Sequence, residues 1–516
     1  MSVNTLSFLL FFTIVAIVYF ILPQKIQWAW LMLASLYFYF KNESPVNFLI
    51  FLAIVLVNWG ASNYMTDDHP HNLGVFRFAI VFDILCLFIF KYSDFLCGIL
   101  VRPLYKLGLI KNMAAADTFV QYTEYFAPFG ISYFILILIG YICDVHWSKV
   151  LPQKNPGKAI LFTSYFPMMT SGPIVRYEEM ENQLWGSKNR FSYNNLVRGG
   201  ERLLWGVFKK SVLAERCAVI VNTIYSTYQV YCGLYIWLAA IMFAMQLYCD
   251  FSGLMDIVLG FSEILGIKLP ENFDTPFYST SLSEFWRRWH ITLGGFLRDY
   301  VLYPIQRTKA FRNLRKFCKN KMGKGYEKKW NLPLHLSLLV SWFLIGLWHG
   351  GGWNYIFGVG LYMWIIIVGG ELLTPVFKLI VKVFHINTEC DSFRLFQRIR
   401  TFILFIFGLS FFRAESLSDG FKMWKNAFSQ FNVWILFDKS LFDLGLIRSE
   451  WGILIFGLVL VFIVSYISQK EDFRDYISKQ NFIFRLIVFG ALFTMVICWG
   501  YYGVNFNAAD FIYGKF

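Results

Sequence analysis

Charge is absent from long stretches of this sequence. Residues 5–22, 44–66, 217–249, 330–370, 452–469 and 486–509 hold no Asp, Glu, Lys or Arg. A helix needs roughly 20 apolar residues to cross the hydrocarbon of a bilayer. Repeated runs of this kind predict an all-α polytopic membrane protein. Shorter apolar runs lie near 26–40, 75–93, 126–143, 158–170, 252–266 and 398–412, and together they predict about ten to twelve crossings. The stretch 158–173 ends in Ser171-Gly172-Pro173, a helix-breaking close that predicts a re-entrant segment. Such backbone survives at membrane depth only when protein shields it or it faces a water-filled cavity.

Two places break the rhythm. Across 271–304 charges return, with Glu284, Arg287, Arg288 and Arg298 interleaved among Trp286, Trp289 and Tyr300. Glu284 and Arg288 are helix neighbours at i and i+4. The segment reads as a half-buried amphipathic helix at the interface, its aromatics at headgroup level. The second break, 307–329, holds ten basic residues against one acid, Glu327. The positive-inside rule makes that loop cytoplasmic, and it suits anionic headgroups.

Composition agrees: hydrophobic residues are 57% and charged residues 16%, against ~25% charged in a soluble domain. The net charge of +14 reads as cytoplasmic-loop bias and not as nucleic-acid binding. Nine scattered cysteines without a CxxC pair suggest neither a disulfide framework nor a zinc site. Met1 to Ser7 has no basic residue, so 5–22 is expected to be a retained span.

Seven histidines carry the candidate chemistry. His69 and His71 fall in a polar loop, and His146, His335 and His385 near span ends. His349 is different, because it lies within the charge-free stretch 330–370, in Gly346-Leu347-Trp348-His349-Gly350-Gly351-Gly352-Trp353-Asn354. An ionisable group at that depth marks a function or a pathway by default, and a neutral imidazole there could accept a proton. A histidine satisfied inside the core is the other reading. His290 closes Ser283-Glu284-Phe285-Trp286-Arg287-Arg288-Trp289-His290. Arg287 or Arg288 would hold an anionic group of a ligand, or would anchor the helix to headgroups. A third cluster, Gln246 to Asp256, brings Asp250, Ser252 and Asp256 beside an apolar run. It suggests a kinked helix facing a cavity, or a helix-end salt bridge at Asp250.

Together these residues resemble the membrane-bound O-acyltransferase (MBOAT) family, in its bacterial branch of alginate O-acetyltransferase membrane subunits and teichoic-acid D-alanyl transferases. The resemblance runs through Pro128-Phe129-Gly130-Ile131-Ser132-Tyr133, Ser171 to Tyr177, Asp250-Phe251-Ser252-Gly253 and Leu269 to Phe273. It is most specific at Ser283 to His290, at Leu297-Arg298-Asp299-Tyr300 and at Gly346 to Gly350. It implies one membrane domain over 1–516: N-terminal spans to 125, a catalytic core over 126–385 and C-terminal spans over 386–516. The implied fold is a ring of helices, with re-entrant and interfacial helices, around a central funnel and tunnel. By the same resemblance His349 is the catalytic histidine and His290 the second functional one. Trp286, Arg287, Arg288, Asp250, Ser252 and Asn354 are candidates for substrate or donor binding, with no metal. No cofactor is bound; the co-substrate is an acyl thioester, acetyl-CoA or an acyl carrier protein, the latter docking on 307–329. The expected reaction moves a short acyl group, acetyl, towards an extracytoplasmic polysaccharide from a bacterial inner membrane, through a partner acyltransferase outside. D-alanyl transfer to teichoic acid is the alternative within the class; a glycan or lipid transporter is the alternative outside it. Leu361 stands where relatives often carry a further histidine, and Gly514-Lys515 departs from their aromatic tail.

Overall fold

The computed structural model describes residues 5–65, 72–110, 112–169, 171–186, 190–323, 325 and 330–502. His69, His71, the later basic residues Lys324, Lys328 and Lys329, and the tail Phe511 to Phe516 lie outside them. Among the described residues the elements are helices, and the only strand-like feature is a single antiparallel bridge between Phe273 and Trp289. Among the described residues seven helices are long and apolar enough to cross a bilayer: Pro45–Tyr64, Asn72–Phe90, Leu234–Ile264, Trp353–Leu372, Asp391–Arg413, Arg448–Ser468 and Phe482–Trp499. Three shorter apolar helices, Leu6–Ile21, Ile131–His146 and Leu332–Trp348, accompany them. The protein is an all-α, multi-pass membrane protein.

The helix starts follow from side-chain chemistry. Ser44 accepts the Asn47 N–H ahead of Pro45, and Asn331 accepts the Leu334 N–H ahead of Pro333. Each cap satisfies a donor that the helix itself cannot. Along the spans, rows such as Ile455, Val459 and Ile463 stay exposed. Their spacing puts them on one helix face, which suits lipid and would be a liability in water.

The backbone divides into two compact units. The first comprises Met1–Val207 and Leu254–Pro270. Its core interlocks Phe8, Phe12, Phe38, Phe166 and Phe261, with neighbouring ring centres 4.4 to 6.4 Å apart. Helix Pro156–Ser164 stops after nine residues, and Tyr165, Phe166, Met168, Met169, Ile174 and Val175 continue buried without helix. This is the broken segment expected at 158–173. Protein shields its backbone, as where Ser35 Oγ accepts the Phe166 N–H at 3.2 Å. Asp256 pairs with Arg202 at 2.9 Å in this unit.

The second unit comprises Phe208–Gly253 and Glu271–Ile512; helix Leu234–Ile264 gives residues to both. Its core centres on Phe285, Trp289 and Phe405, with ring centres 4.2 to 5.5 Å apart. Over 307–329 a loop was expected, but the chain forms helix Lys309–Met322, started by Thr308 accepting the Phe311 N–H. All its residues but Cys318 are at least partly exposed. The C-terminal spans are tied in through Arg216, which donates to Trp499 O at 2.7 Å and lies 4.3 Å over the Tyr501 ring.

Candidate active site

His349 occupies the end of helix Leu332–Trp348. Its N–H still reaches Ile345 O, while the N–H groups of Gly350 and Gly351 both turn back to Leu347 O. Gly351 takes φ +65°, a left-handed turn that glycine adopts without steric cost. The chain then returns through Trp353–Tyr355 and the π-helical turn Ile356–Leu361. A Cβ on Gly346 would stand 2.7 Å from the Cα of Ile356. Glycine at 346 therefore lets the two antiparallel segments touch. His349 is 2% exposed, its ring 5.4 Å from Phe412 and 5.0 Å from Trp348. Asn354 Nδ2 donates to Ala414 O at 2.9 Å, so this candidate binding residue braces the turn to the end of helix Asp391–Arg413.

His290 does not sit within one amphipathic helix, as the sequence had suggested. Helix Leu282–Arg288 ends before it, helix Ile291–Leu297 starts after it, and His290 itself has φ +50°, ψ +51°. A non-glycine residue there is strained. The strain is held by a backbone clasp. Asp274 N–H donates to Arg288 O, Ile291 N–H donates to Asn272 O, and Phe273 bridges Trp289. Asn272 Oδ1 accepts from both the N–H and the hydroxyl of Thr292, at 3.1 and 2.7 Å. The corner aims a 3%-exposed imidazole at Phe251, 4.8 Å away, and at Trp348, 5.7 Å away. Burial pushes its pKa down to about 3, because the charged form loses its water. His290 therefore stands neutral, with one N–H to donate.

Trp348 is thus the residue that brings the two histidines together, packing on both rings.

The six lesser candidates divide. Arg288 is engaged inside the protein, pairing with Glu284 at 2.9 Å and donating to Thr275 Oγ1 at 3.1 Å. Arg287 is exposed. Trp286 packs on Trp342 at 5.2 Å, and its buried Nε1 has no hydrogen-bond partner among the described residues. Asp250 and Ser252 flank Phe251 and meet two residues that the sequence reading missed. Lys210 Nζ lies 2.5 Å from Asp250 and 3.4 Å from Glu215. Lys209 Nζ donates to Ser252 Oγ at 2.8 Å. Both lysines are at most 6% exposed and ride the π-helical turn Phe208–Ala214. The readable signal was Lys209-Lys210 next to an apolar run ahead of Glu215, a charge pair that needs acids nearby if it is buried.

The MBOAT, membrane-bound O-acyltransferase family model matches residues 154–319. The chain is 28% identical, over 81% of its own length and 73% of the relative's, to the probable alginate O-acetylase AlgI of Pseudomonas syringae pv. tomato. It is 26% identical to the peptidoglycan O-acetyltransferase of Helicobacter pylori, over 77% and 72% of the two chains. To the teichoic acid D-alanyltransferase of Streptococcus thermophilus it is also 26% identical, over 58% and 72%. The chain carries a membrane-bound O-acyltransferase family domain over residues 154–319. It is an O-acyltransferase, and the transporter alternative falls.

Proposed function

We propose that this protein moves acetyl from a cytoplasmic thioester, across a bacterial inner membrane, towards O-acetylation of an extracytoplasmic polysaccharide. The observation that carries the reading is the packing of His290 and His349 against the single indole of Trp348. His349 takes the proton of the acceptor hydroxyl as that oxygen attacks the thioester carbonyl. The tetrahedral intermediate collapses to an ester, and the thiol leaves with a proton. General-base help is worth ~10²–10⁴ in rate. Neutral His290 donates its N–H to the developing oxyanion, which a dry site makes more effective than water would. Alignment of donor and acceptor supplies the rest.

The acetyl reading is supported by the names of the alginate and peptidoglycan relatives, and by the wider share of this chain that they match. The exposed basic helix Lys309–Met322 offers a surface for donor phosphates or for an acidic carrier protein. A partner acyltransferase outside the membrane completes transfer to the polymer.

The test compares cells expressing the wild type with cells expressing His349→Ala, by mass spectrometry of acids released from envelope polymers with mild alkali. Acetate lost in the variant supports the reading. Loss of D-alanine would move the protein to the D-alanyl branch. No change in a well-expressed variant would refute His349 as the base.

A further inference from the structure

Helices Leu332–Trp348 and Asp391–Arg413 run side by side in one direction. The first ends at His349, and the second delivers Phe412 to the His349 ring at 5.4 Å. Two turns before those points, Trp342 and Phe405 both pack on Trp286, at 5.2 and 6.2 Å. The second helix therefore starts on the side of the basic helix Lys309–Met322, which is the cytoplasmic side. From Arg394 to Phe412 it rises about 27 Å. That rise sets Arg394 and Arg398 at headgroup depth, one turn apart on one helix face.

Arg398 is half-buried. Its Nε donates to Tyr278 O at 3.1 Å, and its guanidinium lies 5.2 Å from the centre of the Tyr278 ring. Among the described residues no carboxylate pairs with it, and its two Nη groups have no hydrogen-bond partner. Arg394 is exposed and pairs loosely with Asp391 at 3.7 Å.

Beside Arg398 a narrow apolar crevice opens between helix Leu234–Ile264, the turn Pro276–Tyr278 and helix Arg448–Ser468. Met245, Tyr248 and Phe277 line it together with Tyr278, Val461 and Phe462. Phe462 and Tyr466 are exposed. They share a helix face with Ile455, Val459 and Ile463, so the crevice opens towards lipid. Tyr278 donates to Phe462 O at 2.9 Å and packs on Tyr466 at 6.3 Å. Phe277 packs on Phe402 at 5.6 Å, one turn deeper than Arg398. The cytoplasmic end of the crevice thus carries a guanidinium and two tyrosines, and its deeper end Phe277 and Val461.

We infer that this is a binding site for a glycerophospholipid of the cytoplasmic leaflet. Arg398, aided by Arg394, holds the phosphate, and one acyl chain lies in the crevice along Phe277 and Phe462. The planar fork of arginine matches a phosphate in two bonds at once, and tyrosines favour headgroup level. A half-buried guanidinium with no acid beside it calls for an anion from outside the chain. The leaflet supplies one at that depth, joined to the hydrocarbon that an apolar crevice takes up. The turn Pro276–Tyr278 follows directly on the clasp of His290, so a lipid seated there steadies both.

The test titrates phosphatidylglycerol into purified full-length protein in detergent, counting bound lipid by native mass spectrometry and following thermal unfolding. The expected result is retained lipid and a midpoint raised by several degrees. Diacylglycerol with the same chains, and inorganic phosphate, should each do neither. Arg398→Gln should weaken retention about tenfold, Arg398→Lys less, and Val461→Trp, which fills the crevice, should abolish it. Arg400→Gln, on another face of the helix, should retain lipid as the wild type does. A lipid-free midpoint of Arg398→Lys within a few degrees of wild type would exclude misfolding as the cause. Wild-type retention in Arg398→Gln would overturn the inference, as would diacylglycerol bound as tightly as phosphatidylglycerol. So would displacement of the lipid by coenzyme A, which would give Arg398 to a soluble phosphate. Lipid retention needs no acyl transfer, so this result and the polymer-acid comparison fail independently.

Discussion

The imidazole of His290 meets the indole of Trp348 edge to face, with ring centres 5.7 Å apart and planes inclined by 67°. The same indole lies 5.0 Å from His349. Neither histidine can shift without the other feeling it, since both lean on one rigid ring.

That shared wall makes Trp348 a positioning residue. Trp348→Ala is expected to cost ~3–5 kcal/mol as a large buried aromatic and to lower acyl transfer ~10²-fold, as misplaced groups do. Trp348→Phe should keep the fold and most of the rate. In His349→Ala the further loss from Trp348→Ala should shrink, because residues acting as a unit are not additive. Fully additive rate losses would show that the indole only fills space.

The clasp at Asn272 makes a second claim. Asn272→Ala removes the acceptor for two Thr292 donors, at ~1–3 kcal/mol, and frees the left-handed corner. Transfer should fall about tenfold, the ring being misplaced. Asn272→Asp keeps an acceptor oxygen and should recover much of the rate. Assays of both variants beside their unfolding midpoints separate position from stability.

The buried lysines predict a contrast between two ion pairs. Lys210→Met leaves Asp250 and Glu215 as buried charges, at ~3–5 kcal/mol. Arg288→Met breaks a pair whose side chains are 29% and 23% exposed, at about 1 kcal/mol or less. Midpoints of thermal unfolding in one detergent decide; equal small losses would mean that water reaches Asp250.

Acid should destabilise the protein through His290, which lies outside the membrane-spanning helices, in a corner between two short ones. Its pKa is depressed in the folded chain, to about 3, and near 6.5 once unfolded. Below pH 6.5 the unfolded chain binds the extra proton, so stability falls as pH falls. By pH 5 the loss is about 2 kcal/mol. His290→Asn, whose residue tolerates left-handed backbone, should flatten that slope between pH 7 and 5 while lowering transfer.

Much of this was legible because the membrane enforces it. Charge-free length gave the spans, and Ser171-Gly172-Pro173 marked the shielded break. The three glycines after His349 pointed to close backbone approach there, while the contact at Gly346 appeared only in the structure. The corner at His290 was not legible, because Leu282 to Leu297 has continuous helical spacing. Its break depends on Asn272 and Asp274, which reach it only in three dimensions. Nor did Asp250 announce Lys210 as its partner. A π-helical turn changes the facing of side chains, and no periodicity of 3.6 foresees it.

That turn has a genetic corollary. Backbone bonds in Phe208–Ala214 close over five residues where an α-helix closes over four, so the segment behaves as a helix with one residue too many. Deleting a single codon there would mend the helix, where deletions elsewhere in a span would damage one. The repair would swing one flank by ~100° and carry Lys209 and Lys210 off Ser252 and Asp250. A shorter gene would then encode a more regular helix and a poorer enzyme.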